Sequence, residues 1–383
     1  MTVTTPQGFR AAGAPVGIKV GGRPDLAIVV NDGPDHHAAA VFTSNRVCAA
    51  PVLWSRKVVT DGRADAVVLN SGGANACTGA PGFQDTHRTA EVAADALGLS
   101  AGDIVVCSTG LIGERLPMER LLPGIATVAA RLSTEGGDGA AEAIMTTDTR
   151  AKSAATQRDG WSVGGMAKGA GMLAPALATM LVVVTTDAVV DAETLDAVLR
   201  EATRLTFDRV DSDGCQSTND TVLIMASGAS GVQPGQEELQ AAVTQVCADL
   251  AAQLVHDAEG AHHDIAVEVR SAASEDDALE VARSIARNNL VKCAVAGDDP
   301  NWGRVLAAVG TTSAAFEPER LDVAMNGVQV CRAGGVGEDR ALVDLSGRDV
   351  HVLVELHAGE ASATVWTNDL THDYVQENSA YSS

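Results

Sequence analysis

The sequence predicts an α/β protein of the α+β kind, layered rather than doubly wound, and three observations carry that prediction. Apolar runs of strand length and amphipathic stretches of helical period are interspersed without strict alternation. Near the C-terminus an Asn-Gly pair joins two apolar runs, which is a hairpin signal. A length of 383 residues suits one large layered domain plus a smaller one.

Taken in chain order, DAVVLN (65–70) and IVVCS (104–108) are short runs rich in β-branched residues and read as buried strands. MLVVVTT (180–186) and TVLIMAS (221–227) read the same way. Between them Asp191 opens a helix: its carboxylate can cap the first turn, and Leu195, Val198, Leu199, Ala202 and Leu205 recur on one face. Leu239, Val243, Val246, Leu250 and Leu254 mark a second helix. DIAVEVR (264–270) alternates Ile265, Val267 and Val269 with polar residues, the pattern of a half-exposed strand. Ser274, with Asp277 three residues on, caps a third helix that presents Leu279, Ala282 and Ile285. VAMNGVQV (323–330) holds the Asn326-Gly327 turn, and HVLVELHAGEASATVWT (351–367) reads as a further hairpin. No repeat, low-complexity tract or long Pro/Ser linker divides the chain.

Composition narrows the function classes. A formal net charge of −23 argues against nucleic acid or an anionic membrane surface as partner, since both would be repelled. The N-terminus, MTVTTPQGFR, lacks a charged-then-apolar signal pattern, and no window reaches the roughly 18 apolar residues of a membrane helix. A soluble, cytoplasmic protein is expected. The seven cysteines are scattered and form no CxxC pair, so neither a disulfide framework nor a zinc site is suggested.

Several motifs have the residue types of a chemical site. GAGMLA has dinucleotide-like spacing at Gly169, Gly171 and Ala174, but that fingerprint requires a helix to follow, and Pro175 followed by LVVVTT is a poor helix. His36 with His37 and His262 with His263 lack metal-ligand spacing and read as solvated or loop histidines. There is no GxSxG elbow, and Cys215 in DSDGCQSTND has no recognisable histidine partner. No cofactor and no metal is expected.

Thr179 stands where a glycine-containing segment meets a β-branched run. Taken alone, a threonine at the mouth of a buried strand is as a rule structural. A threonine becomes a competent nucleophile when a base accepts its proton, and a free α-amine on the same residue can be that base. Cleavage of the preceding peptide bond would supply it. Ala178 is small, and the glycines before it are expected to allow a bend in which the hydroxyl reaches the Ala178 carbonyl.

KGAGMLAPALATML (168–181), AIMTTDT (143–149), CSTGLIG (107–113), NSGGANACTG (70–79), GDDPNWGR (297–304) and the terminal ENSAYSS occur in order over nearly the full chain. In these segments the sequence closely resembles the ornithine acetyltransferase family, also called glutamate N-acetyltransferases. The resemblance implies self-cleavage between Ala178 and Thr179 into chains 1–178 and 179–383, associated as an α2β2 heterotetramer. It also implies a layered α/β/β/α sandwich of the N-terminal-nucleophile kind, over roughly 1–285, with a smaller α/β domain over roughly 286–383.

The implied reaction moves an acetyl group from N2-acetyl-L-ornithine to L-glutamate, through an acetyl-Thr179 ester, in arginine biosynthesis. Thr109 and Gly110 match the family's oxyanion pair, and Thr146, Lys168, Thr179, Glu259, Asn378 and Ser383 its substrate positions, with Thr147 a neighbour. Some members also take acetyl from acetyl-CoA, an ability no motif here reports. A related N-terminal-nucleophile amidase or peptidase, releasing acetate to water, is the alternative.

The chain departs from the family pattern at Gly73, at Cys215 and Gln216, and at His262 and His263, where a lysine is usual. None of these departures is expected to touch the nucleophile or the oxyanion pair.

Overall fold

A computed structural model of the chain describes residues 1–174 and 180–380. In order the elements are β1 (Phe9–Ala14), β2 (Leu26–Asn31), β3 (His37–Phe42), α1 (Ala50–Val58), β4 (Ala66–Ser71), α2 (Gly79–Leu97), β5 (Ile104–Thr109), α3 (Met118–Ala129), α4 (Gly137–Ala143), β6 (Lys152–Gln157), β7 (Ser162–Lys168), β8 (Leu181–Thr186), α5 (Ala192–Leu205), β9 (Thr221–Ala226), α6 (Gln236–His256), β10 (Asp264–Ala272), α7 (Glu275–Ala286), α8 (Asn289–Ala296), α9 (Trp302–Val309), β11 (Asp322–Met325), β12 (Val328–Arg332), β13 (Gly335–Val336), β14 (Asp349–Glu355), β15 (Ala361–Asn368) and α10 (His372–Ala380).

The strands form three sheets, ordered β1-β2-β4-β5, β3-β9-β8-β7-β6 and β13-β12-β11-β14-β10-β15. Every residue of β2, β4, β5, β8 and β9 is buried, as continuous apolar runs require when both faces of a sheet are covered. Alternate side chains of β8 point to opposite faces. Leu181 and Val183 meet Val67, Leu69 and Val105 in a core between the first two sheets. Val182 and Val184 pack instead with Leu195, Val198, Val243 and Val246 of α5 and α6. The outer face of the first sheet covers itself with Ala90, Ala93, Leu121 and Ile125 of α2 and α3. The result is the expected layered sandwich, helices outside and two sheets inside.

The capping signals are realised. The Asp191 carboxylate accepts the Thr194 N–H at 2.8 Å and the Ser274 hydroxyl accepts that of Asp277 at 3.1 Å. Leu205, at the end of α5, is the exception on its apolar face and stays 41% exposed. Asn326 (φ 43°) and Gly327 (φ 84°) form the turn between β11 and β12, with Met325 paired to Val328.

The expected hairpin at 351–367 is not one. Its two strands exist, but β10 lies between them, parallel to β14 and antiparallel to β15. Alternation identifies a strand and its buried face; it does not identify the partner, and here a strand from before α7 takes that place. In this third sheet Ile265, Val267 and Val269 pack on Val281, Ala282 and Ile285 of α7. Among the described residues no helix is long and apolar enough to cross a membrane.

Candidate active site

The antiparallel pair β7–β8 organises the site. Lys168, the last residue of β7, pairs with Leu181, the first of β8. Ala178 and Thr179 fall between these strands, outside the described residues, and so does Ser383.

A cavity of ≈ 340 Å³ opens beside this pair. Thr109 and Gly110 reach it from the end of β5, Thr146 and Thr147 from the segment after α4, Lys168 from β7, Glu259 from beyond α6 and Asn378 from α10. Residues spread over most of the chain thus face one space, because each sits where a strand or helix ends toward the same edge of the sandwich.

Lys168 is 1% exposed, so the solvated surface charge that a lone lysine usually represents is not what stands here. Its Nζ donates to Thr109 Oγ1 at 3.1 Å. Burial lowers its pKa, and the neighbouring Lys152 acts in the same sense, against the charges of Asp148, Asp220 and Glu259.

Asp148 holds this corner together. One of its oxygens accepts the Lys152 ammonium and the Gly169 N–H, each at 2.6 Å, and the other accepts the Thr146 N–H at 2.9 Å. Burial alone would push this carboxyl up; the ammonium groups of Lys168 and Lys152 and the Gly169 N–H instead hold it at about 2. Lys152 also reaches Asp257 at 2.5 Å, and Asp257 accepts both the N–H and the hydroxyl of Thr149. A fully buried ion network thereby supports Thr146, Lys168 and, two residues beyond Asp257, Glu259.

The turn at Thr109-Gly110 leans on the segment that departs from the family pattern. Gly72 and Gly73 both donate to the Thr109 carbonyl at 3.0 Å. Gly110 has φ 131°, and a Cβ there would lie 2.6 Å from the Gly73 nitrogen, so only glycine fits. The expectation that Gly73 lies away from the oxyanion pair is therefore corrected: it is in direct contact.

The glycines after Lys168 are also held more tightly than expected. Gly169 is bound by Asp148, the Ala170 carbonyl accepts the Glu259 N–H at 2.9 Å, and a Cβ on Gly171 would stand 2.4 Å from Glu259 Oε2. Close approach of the Glu259 carboxylate, rather than looseness, requires glycine at 171.

The histidine pair near Glu259 lies in a loop, as expected, but only one of the two is solvated. His263 is 8% exposed, with Nδ1 on Asp369 at 2.8 Å and Nε2 on the Leu345 carbonyl at 3.0 Å. His262 is exposed to solvent on its side chain but meets Asp373 at 2.8 Å. Both histidines thus touch the segment that carries α10. Thr371 fixes its start, donating to the Gly260 carbonyl at 2.6 Å and accepting the Tyr374 N–H at 3.0 Å.

Asp148, Lys152, Asn219 and Asp220 were not singled out by sequence. The Asn219 amide donates to the carbonyls of Ala74 (2.6 Å) and Ser108 (2.8 Å), and Asp220 accepts the Met180 N–H at 3.0 Å. The available signal was a polar Asn-Asp pair abutting the apolar run TVLIMA, which places a carboxyl at the buried mouth of a strand.

The ArgJ family model matches residues 10–383. The chain is 66% identical to the arginine biosynthesis bifunctional protein ArgJ of Streptomyces coelicolor, over all of both chains. It is 58% identical to that of Mycobacterium leprae, over all of this chain and 96% of the other. An ornithine acetyltransferase of Mycobacterium tuberculosis, solved in complex with ornithine, matches at 59% identity with a TM-score of 0.46, covering 46% of this chain and 96% of its own.

Proposed function

The chain belongs to the ArgJ family, and from that premise we propose an ornithine acetyltransferase of arginine biosynthesis that moves acetyl from N2-acetyl-L-ornithine to L-glutamate. The observation that carries the reading is the meeting of Thr109, Gly110, Thr146, Lys168, Glu259 and Asn378 on one cavity at the β7–β8 edge.

In this reading the chain cuts itself between Ala178 and Thr179. The cut divides the sequence and not the fold, since β7 and β8 on either side of it are sheet neighbours. Thr179 then attacks the acetyl carbonyl while its α-amine accepts the hydroxyl proton, and ornithine leaves. The Thr109 hydroxyl and the Gly110 N–H meet the charge on the tetrahedral oxygen. Glutamate attacks the resulting ester and carries the acetyl group away.

Lys168 is the buried positive group for a substrate α-carboxylate in a protein of net charge −23. Glu259 is the negative group for an amine, and Thr146, Asn378 and Ser383 complete the substrate contacts. The cleaved chains 1–178 and 179–383 work as an α2β2 assembly in the cytoplasm. For the smaller C-terminal α/β domain, expected over roughly 286–383, we propose a start near Asp264, a reading supported by β10 belonging to the six-stranded sheet and α7 packing on it.

Purified protein given N-acetylornithine and glutamate is expected to form N-acetylglutamate. Free acetate as the main product in the presence of glutamate would instead indicate an amidase. The relatives are called bifunctional, so acetyl-CoA belongs in the same assay as a second donor.

A further inference from the structure

A second cavity, of ≈ 380 Å³, shares Thr146 and Thr147 with the candidate active site. Lys19 and Arg23, from the segment between β1 and β2, also line it. In a protein of net charge −23, two cations on one cavity call for a reason.

The segment that carries Lys19 is tightly built. The buried Asp25 carboxylate accepts the N–H groups of Val16 at 2.7 Å, Ile18 at 2.6 Å and Lys19 at 2.9 Å. A Cβ on Gly72 would stand 2.4 Å from Ile18 Cγ2, so the segment packs on a residue whose N–H holds the Thr109 carbonyl. Lys19 Nζ donates to the carbonyls of Pro24 at 3.0 Å and Met145 at 2.5 Å, which fixes the ammonium next to the start of the shared Thr146-Thr147 wall. An ammonium has three N–H donors, and the two carbonyls take two of them.

The nearby carboxylates are committed elsewhere. Asp25 holds the three amides, Asp148 holds Lys152, Gly169 and Thr146, and Glu142 is exposed and makes no ion pair with either cation. Burial pulls the Lys19 pKa down to about 8, and Lys168 and Arg23 act in the same sense against Asp25 and Asp148. A bound anion would offset both the burial and the repulsion. Arg23 is exposed and makes no hydrogen bond or ion pair among the described residues.

The two amino-acid substrates of the proposed reaction pose an electrostatic problem that this cavity answers. Both carry an α-carboxylate, but N-acetylornithine ends in an ammonium and glutamate in a carboxylate. Glu259, which suits the first end, repels the second. We propose that Lys19 and Arg23 form a separate anion subsite for the side-chain carboxylate of glutamate, and so determine the specificity for the acceptor. This deepens the acetyltransferase reading and rests on it. The Lys19 ammonium gives its remaining N–H to that carboxylate, and Arg23 adds positive charge from the exposed side. The phosphates of acetyl-CoA have the same anionic chemistry, so that donor forms one arm of the test.

In a ping-pong reaction the acetyl-enzyme separates the two halves, and kcat/KM for each substrate reports its own half. Lys19→Met is expected to lower kcat/KM for glutamate about tenfold or more, the worth of one charged hydrogen bond, while that for N-acetylornithine stays within about twofold. An unchanged value for glutamate, or equal falls for both substrates, overturns the proposal. A fall confined to acetyl-CoA overturns it too, because the cations then serve phosphates. Should Lys19→Met not fold, Arg23→Glu carries the same test with the same outcomes, since Arg23 has no partner among the described residues to lose. A wild type that makes no N-acetylglutamate sinks the underlying reading instead.

Discussion

The Lys168 ammonium, almost wholly shielded from solvent, donates to the Thr109 hydroxyl oxygen at 3.1 Å inside the site. With a cation on its lone pair, Thr109 is left with its own O–H to give, and that donor is more polarised than an isolated hydroxyl. In the proposed mechanism the contact therefore couples the group that would bind a carboxylate to the group that would stabilise an oxyanion.

Thr109→Ala is expected to lower kcat about 10²-fold with little change in KM, as removal of one preorganised oxyanion donor does. Lys168→Met should raise KM for both amino-acid substrates and lower kcat as well. Steady-state kinetics on the two variants checks the contrast, and a Lys168→Met effect confined to KM would break the coupling.

Gly171→Ala places a methyl group 2.4 Å from Glu259 Oε2. The far end of the Glu259 side chain can swing aside, so the fold is expected to survive, but the carboxylate proposed to meet the substrate amine is displaced. KM for N-acetylornithine should rise roughly tenfold or more, the worth of one charged hydrogen bond, with the melting temperature close to that of the wild type.

Asp148 gives a pH signature whose sign follows from its lowered pKa, about 2 against an ordinary aspartate value of 3.8. A depressed carboxyl stabilises the folded state fully above its unfolded pKa and loses that contribution as pH falls through the folded one. Denaturant titrations of the wild type should therefore lose about 2 kcal/mol between roughly pH 4 and pH 2. Asp148→Asn should be less stable at neutral pH and show a flatter dependence in that window; equal slopes would contradict the network.

Thr371→Val removes the hydroxyl that ties the start of α10 to Gly260 and Tyr374. Loss of about 1 kcal/mol of stability is expected. Because α10 also carries Asn378 to the cavity, KM should rise several-fold while kcat changes less, and an unchanged KM would detach the C-terminal helix from substrate binding.

The sandwich was legible where its strands are β-branched and its helices carry leucine and valine. The runs that became β4, β5, β8 and β9 and the caps at Asp191 and Ser274 announce themselves locally. β1 (FRAAGA), β3 (HAAAVF) and β7 (SVGGMAK) do not, since alanine and glycine carry little strand signal and gain their place from close packing between layers. The helix α2 hides for the same reason, its buried face being largely Ala90, Ala93 and Ala94.

At the site, family motifs pointed to Thr109, Lys168 and Glu259, but not to the burial of Lys168, which depends on Asp148 and Glu259 arriving from other segments. Asp220 was invisible because its partner, the Met180 amide, is a backbone group across a parallel strand pair. The contact between Gly73 and Thr109 is likewise a backbone bond, and motif comparison counts side chains.

Intact-mass spectrometry after incubation with N-acetylornithine, without glutamate, tests the central claim most directly. Two chains are expected, 1–178 and 179–383, with one acetyl group added to Thr179 of the second and lost again when glutamate is supplied. A wild-type chain that stays full length, or a cleaved one that turns over substrate without ever carrying the acetyl group, would contradict the account.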